Sequence, residues 1–236
     1  MVLFIFILSC MVTGSLACTD EHCQDFTVTT QLYETKFMPN RSQLEIICPN
    51  LIKMFECEKT YLECPGQSIE EVAVSSDTVK SKLAKAILGG LSLIRELCDN
   101  DSDLQKDYLE SVECARGHIT DIGRLCLPET SKPTEDYFNQ FYSNEDDFFK
   151  KNSHISCVKD AFHTACMVYK LRDTCGTVAE KTALYGLERM KDALKANRCA
   201  NVENAENLKT KFLEFLNYDE QKKNSIKRVL DFFLRE

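Results

Sequence analysis

The sequence predicts an all-α protein: a disulfide-stapled helical bundle built from two similar six-cysteine halves. Three observations carry this. Glycine and proline are scarce, eight and five in 236 residues, and there is no tryptophan. Few positions therefore interrupt a helix, and Leu, Lys, Glu and Ala favour one. Apolar residues recur at three- and four-residue steps. Twelve of the thirteen cysteines fall into an order that occurs twice.

The elements follow in chain order. Residues 1–17, MVLFIFILSCMVTGSLA, are apolar and uncharged, with Ser15 and Ala17 small at the −3 and −1 positions of a cut. They read as a secretory signal peptide, shorter than the ~18 apolar residues that a membrane span needs. No later segment is apolar enough to span a bilayer, so the expected location is extracellular. Residues 26–33, FTVTTQLY, are the one strand-like stretch. Helix starts are expected at Ser42, Ser68 and Thr177. Each is followed three residues later by Glu (Glu45, Glu71, Glu180), the capping-box pattern. Val79, Leu83, Ala86, Ile87, Leu91, Ile94 and Leu97 make one helical face, and Val158, Phe162, Ala165 and Tyr169 another. Within the first of these helices, Gly89 and Gly90 read as a site of close helix packing. Pro128 and Pro133 mark the clearest linker. The acidic run at 144–147 reads as the charged first turn of a helix. Ile226, Val229, Leu230 and Phe233 give the C-terminal segment an amphipathic pattern.

The cysteines set the organisation. Cys10 leaves with the signal. The first unit, 18–113, holds Cys18, Cys23, Cys48, Cys57, Cys64 and Cys98, with gaps of 4, 24, 8, 6 and 33 residues. The second, 114–236, holds Cys114, Cys126, Cys157, Cys166, Cys175 and Cys199, with gaps of 11, 30, 8, 8 and 23. The same order of short and long gaps points to an internal duplication. An even number of cysteines behind a signal peptide points to six disulfides formed in an oxidising compartment. Residues nine apart on a helix face opposite sides, since nine steps of about 100° leave half a turn. Cys48 and Cys57 therefore cannot bridge each other and must staple their helix to two different neighbours. An antiparallel helix following each triplet would bring Cys98 to Cys48 and Cys199 to Cys157. The other pairings stay open, because twelve cysteines allow roughly ten thousand connectivities.

Little in the chain points to chemistry. The net charge of −8 disfavours nucleic acid and anionic membranes as partners. Asn40-Arg41-Ser42 and Asn100-Asp101-Ser102 are N-glycosylation acceptors. Asp99, Asp101, Asp103, Asp107 and Glu110 sit at the spacing of a calcium loop, yet Leu104 stands where the loop's sharp turn needs Gly. The simpler reading is an acidic turn between helices, with Ser102 as N-cap and Gln105 completing a capping box. His22, His118, His154 and His163 show no metal-ligand spacing. There is no nucleophile elbow and no phosphate-binding glycine loop, so neither cofactor nor metal is expected.

The spacing C-x8-C-x8-C-x23-C from Cys157, with Phe162 inside it and CMVYKL from Cys166, resembles the insect haemolymph glycoproteins. The total of twelve cysteines and the helical character resemble a nematode and arthropod family of twelve-cysteine extracellular domains of unassigned function. Both resemblances imply a non-enzymatic extracellular protein and supply no active site. The expectation is a secreted binding or carrier protein, whose partner is an extracellular protein or a small apolar ligand held between helices. The simpler reading of the C-terminal amphipathic helix is packing on the core; the functional alternative is docking onto a partner or lipid. One alternative is a venom or salivary component acting on a foreign protein. Another is an enzyme whose pocket joins His118, His154 or His163 to a carboxylate.

Overall fold

The computed structural model describes residue 23 and residues 26–63, 66–142 and 148–234. Among these residues there are nine helices and no strand: α1 (Phe26–Glu34), α2 (Arg41–Leu62), α3 (Ile69–Ala73), α4 (Thr78–Leu97), α5 (Asp103–Phe141), α6 (Phe148–Cys175), α7 (Thr177–Arg198), α8 (Ala205–Phe215) and α9 (Glu220–Phe233). The all-α expectation holds. The signal segment 1–17, His22, Cys18, Cys64 and the acidic run 144–147 lie outside the described residues.

Two local expectations are overturned. FTVTTQLY is helical, not strand-like. Val28 and Leu32, one turn apart, are fully buried, and packing of that stripe against α2 overrides the β preference of its Val and Thr residues. Pro128 and Pro133 do not form a linker; both lie inside the 39-residue α5. Cys126, Thr130, Thr134, Tyr137 and Phe138 run past them as a buried stripe of helical period, while Pro128 is exposed. Each proline removes one helical hydrogen bond. The stripe's packing against α6 holds the helix through the loss.

The caps are partly as expected. Ser68 and Glu71 form the predicted capping box of α3. At α2 the box belongs to Asn40 and Gln43 rather than Ser42 and Glu45; Ser42 instead donates to the Asn40 side-chain oxygen at 2.9 Å. Thr177 is already helical and Gly176 takes the N-cap position, with no side-chain cap. That one residue joins α6 to α7 at φ +88°, a conformation that favours glycine.

α6 is the central helix. It packs on α5, α7 and α9, and Thr164 to Val168 are five consecutive buried residues. α7 also touches α4 and α5, while α4 packs on α2 and α3. Gly89 and Gly90 set the distance across α4, as the glycine pair predicted. A Cβ on Gly90 would stand 2.5 Å from the Phe55 ring of α2, and one on Gly89 would stand 2.5 Å from the Arg189 carbonyl oxygen of α7.

Five disulfides join the described cysteines. Cys48–Cys98 and Cys157–Cys199 are the two pairings expected of an antiparallel hairpin. Cys57 turns the other way, to Cys23. Cys114–Cys175 and Cys126–Cys166 fasten α5 to α6 twice, in antiparallel order. Each of these bridges stays within one half. The 113/114 division itself falls inside α5.

Candidate functional site

The site is a cavity between α4, α5, α6 and α7, of about 140 Å³. α5 contributes Leu104, Tyr108, Val112, Ala115 and Ile119, a stripe at three- and four-residue steps. From α6 come Met167, Val168 and Leu171, and from α4 Leu93 and Leu97. α7 faces them with Ala179, Ala183 and Gly186. These small residues recur on one face of α7, and where a Leu or Phe would fill the space they leave it empty. The lining is almost wholly apolar, and no charged side chain belongs to it. The space is open to solvent on one side, and its size and its aliphatic and aromatic walls suit a benzene-sized guest.

One wall is a turn rather than a helix. Phe37 and Met38, just after α1, belong to the lining, in which Thr182 and Ala183 are only half-buried. Lys36 and Phe37 both have positive φ, 52° and 58°. Such non-glycine residues cost of order 1–3 kcal/mol each and persist where the surroundings hold them. The holding groups are explicit. The Phe37 and Met38 amides donate to the Leu32 and Thr35 carbonyls at 2.6 and 3.0 Å. From α5, the Tyr108 hydroxyl donates to the Pro39 carbonyl at 2.8 Å. Arg116 donates through Nε to the Met38 carbonyl at 2.9 Å and through Nη2 to the same oxygen. Burial pushes the Tyr108 phenol well up, against the nearby Arg116 charge and with that of Glu113, so Tyr108 remains a donor at any ordinary pH.

The polar wall groups are satisfied. Ser111 donates to the Asp107 carbonyl at 2.9 Å, Thr164 to the Asp160 carbonyl at 2.8 Å and Thr182 to the Val178 carbonyl at 2.9 Å. Each is a back-bond to the same helix one turn earlier.

The residues singled out in the sequence fall elsewhere. Ser102 caps α5 as expected, accepting from the Gln105 amide at 3.0 Å. The Gln105 side chain does not complete a box; it donates instead to the Leu97 carbonyl at 3.0 Å. The calcium spacing is not a loop, because α5 begins at Asp103 and strings Asp107 and Glu110 along a helix. Asp107 pairs with Lys181 of α7 at 2.6 Å. Among the described residues, no group of three or more His, Cys, Asp or Glu side chains could hold a metal ion.

None of the three histidines of the enzyme alternative lines the cavity. His118 is exposed on α5, whereas His154 is buried and edge-on to Tyr142 at 6.1 Å. His163 lies nine residues beyond His154 and so on the opposite side of α6. Burial lowers its pKa, against the nearby Asp160 carboxylate and the Cys126 backbone bond.

Asn40 and Asn100 are both at helix starts or turns. The Asn40 side-chain oxygen caps α2, and Asn100 is exposed between α4 and α5. The apolar side of α9, Ile226, Val229, Leu230 and Phe233, is buried, and the helix packs on α6 and α7. Among the described residues no helix is long and apolar enough to cross a membrane. No protein-family model matches the chain, and neither does any curated protein or solved structure.

Proposed function

We propose that this is a secreted, non-enzymatic carrier that holds a small apolar molecule in the cavity between α4, α5, α6 and α7. The observation that carries the reading is the cavity itself. A concave, mostly apolar space is the ordinary form of a small-molecule site, and this one is about 140 Å³ with an apolar lining. Five disulfides support an oxidising, extracellular setting, and a rigid frame suits a cavity that must survive empty.

The duplication belongs to the same proposal. In the second half the first cysteine pairs with the fifth, the second with the fourth and the third with the sixth. The two described bridges of the first half also join second to fourth and third to sixth. The shared order assigns the remaining pair, Cys18 with Cys64, to each other. Peptide mapping of the unreduced protein checks that bridge; a Cys18 joined to any other cysteine would end the duplication.

The test of the carrier reading is a thermal melt of the oxidised protein with and without benzene. A guest at 100 times its Kd adds about 2.7 kcal/mol, a rise of a few degrees for a chain of this size. Ala183→Phe, which puts a ring into the cavity, is expected to abolish the rise. No rise in the wild-type protein at saturating benzene would overturn the proposal.

A further inference from the structure

We propose that the face formed by α6, α9 and the turn before α9 binds a sulfated polysaccharide through Lys222, Arg228 and Arg172. None of these residues lines the cavity. The surface goes beyond the carrier reading and shares with it only the extracellular setting.

The charge of the chain is unevenly divided. Residues 1–147 carry 12 basic and 25 acidic side chains, and residues 148–236 carry 17 and 12, so the net −8 divides into −13 and +5. An anionic partner is repelled by the first part and attracted by the second.

Within the second part, the carboxylates of α9 are already engaged. Asp219 caps the helix, accepting from the Lys222 amide at 2.8 Å. Glu220 pairs with Lys223 at 3.8 Å, and Asp231 with Lys209 and Lys227. Among the described residues, Lys222 and Arg228 have no ion-pair partner. They stand three residues either side of Ser225, and residues three apart are neighbours on a helix surface. Ser225 accepts from Arg172 Nη1 of α6 at 3.4 Å, which brings a third cation to the middle of the row.

The cations are positioned largely by rings. Lys222 Nζ lies 3.9 Å from the centre of the Tyr218 ring and 5.8 Å from that of Tyr169, and the Arg172 guanidinium lies 4.6 Å from the Tyr169 centre. A ring attracts a cation through its quadrupole and cancels none of its net charge. A side chain held in this way loses less freedom when an anion arrives. Asp173 does offset Arg172, at 3.1 and 3.2 Å, so the surplus charge rests on Lys222 and Arg228.

Lipid headgroups also offer anions, but a lipid surface takes up apolar side chains as well. Among the described residues, no large hydrophobic side chain is exposed on α6, α8 or α9. A soluble chain that bears sulfates needs none.

The test is titration of heparin into the full-length oxidised protein at physiological ionic strength. Binding is expected, and Lys222→Ala with Arg228→Ala should weaken it about tenfold or more. Lys82→Ala with Lys85→Ala removes the same charge from α4 and should leave it within about twofold. Asp173→Asn, which releases Arg172, should tighten it. No binding by the wild type would overturn the proposal. So would equal losses in the two double variants, which would assign binding to net charge alone. Equal affinity for hyaluronate, which carries carboxylates and no sulfate, or binding to phosphatidylserine vesicles in place of heparin, would overturn the choice of partner. Should Lys222→Ala unfold α9 by removing its ring contacts, Arg228→Glu alone, at an exposed position, carries the same comparison against Lys82→Glu. None of these outcomes bears on the benzene test of the cavity.

Discussion

Small residues do opposite work on the two helices α4 and α7. On α4, Gly89 and Gly90 let neighbours approach until no Cβ would fit, the Phe55 ring on one side and the Arg189 backbone on the other. On α7, Ala179, Ala183 and Gly186 face an open space of about 140 Å³. The difference lies in what holds the partner helices. α4 meets α2 through a single bridge, Cys48–Cys98, at its end. Beside the cavity, α5 and α6 are tied twice, by Cys114–Cys175 and Cys126–Cys166. A second, smaller apolar cluster around Cys126 and Cys166 shares Ala115, Ile119, Met167, Leu171 and Ala179 with the cavity lining. A small residue closes a contact where helices are free to come together. On α7 the same kind of residue faces a space lined by three other helices.

The largest effect tests that cross-link. The Cys126–Cys166 bridge spans 40 residues, and loops of that size contribute about 4 kcal/mol in the chain-entropy account. The double variant Cys126→Ala and Cys166→Ala is expected to lose about that much in urea denaturation and to bind benzene more weakly. Unchanged benzene binding would show that the bridge does not hold the cavity open.

The next effect contrasts two glycines. Gly90→Ala places a methyl group 2.5 Å from a buried Phe55 carbon and should cost about 1–3 kcal/mol. Gly117 has nothing within 4 Å, so Gly117→Ala in α5 should stabilise by roughly 0.5–1 kcal/mol. Equal effects would mean that helix propensity, not contact, governs both sites. Within the cavity, Ala183→Leu adds apolar volume to empty space. Its expected stability change is within about 1 kcal/mol, in contrast to Gly90→Ala, while benzene binding is lost. A cost like that of Gly90→Ala would show the cavity face of α7 to be packed as closely as the Gly90 face of α4.

The smallest effect concerns the C-terminal pair of helices. Lys209 of α8 is 4% exposed at its side chain and pairs with Glu206 and with Asp231 of α9, both at 2.5 Å. Burial alone would raise the Asp231 carboxyl pKa; hydrogen bonds from Lys209 and Lys227 outweigh it and hold the carboxyl below its usual range. A carboxyl depressed in the folded state contributes stability above its unfolded pKa of about 3.9 and loses it as pH falls through the folded value. Asp231→Asn should therefore be less stable than the wild type at pH 7, with the gap shrinking below about pH 4. A gap constant from pH 7 to pH 2 would assign the loss to packing.

How much of this was legible in the sequence depended on distance along the chain. The nine-residue spacing of Cys48 and Cys57, and of Cys157 and Cys166, dictates opposite helix faces, and the observed bridges obey it. Gly89-Gly90 was readable for the same local reason. Pro128 and Pro133 misled because proline reports its own cost, while the stripe from Cys126 to Phe138 that outweighs it becomes visible only against α6. FTVTTQLY misled likewise, since Val28 and Leu32 needed α2 to bury them. The cavity was the least legible part. The small-residue face of α7 can be seen in the letters, but whether such a face closes on a partner or stands off from it depends on four helices at once.

The order of the bridges bears on how the chain is made. No described bridge joins cysteines that are neighbours along the chain. Cys48 lies between Cys23 and Cys57, Cys157 lies between Cys126 and Cys166, and the other three bridges likewise step over at least one cysteine. A polypeptide oxidised as it is synthesised offers Cys48 to Cys23 before Cys57 exists. Pairing by first encounter therefore gives none of the native bridges; they form either after the helices have packed or by thiol–disulfide exchange, a process of seconds to hours set by the available oxidant and isomerase.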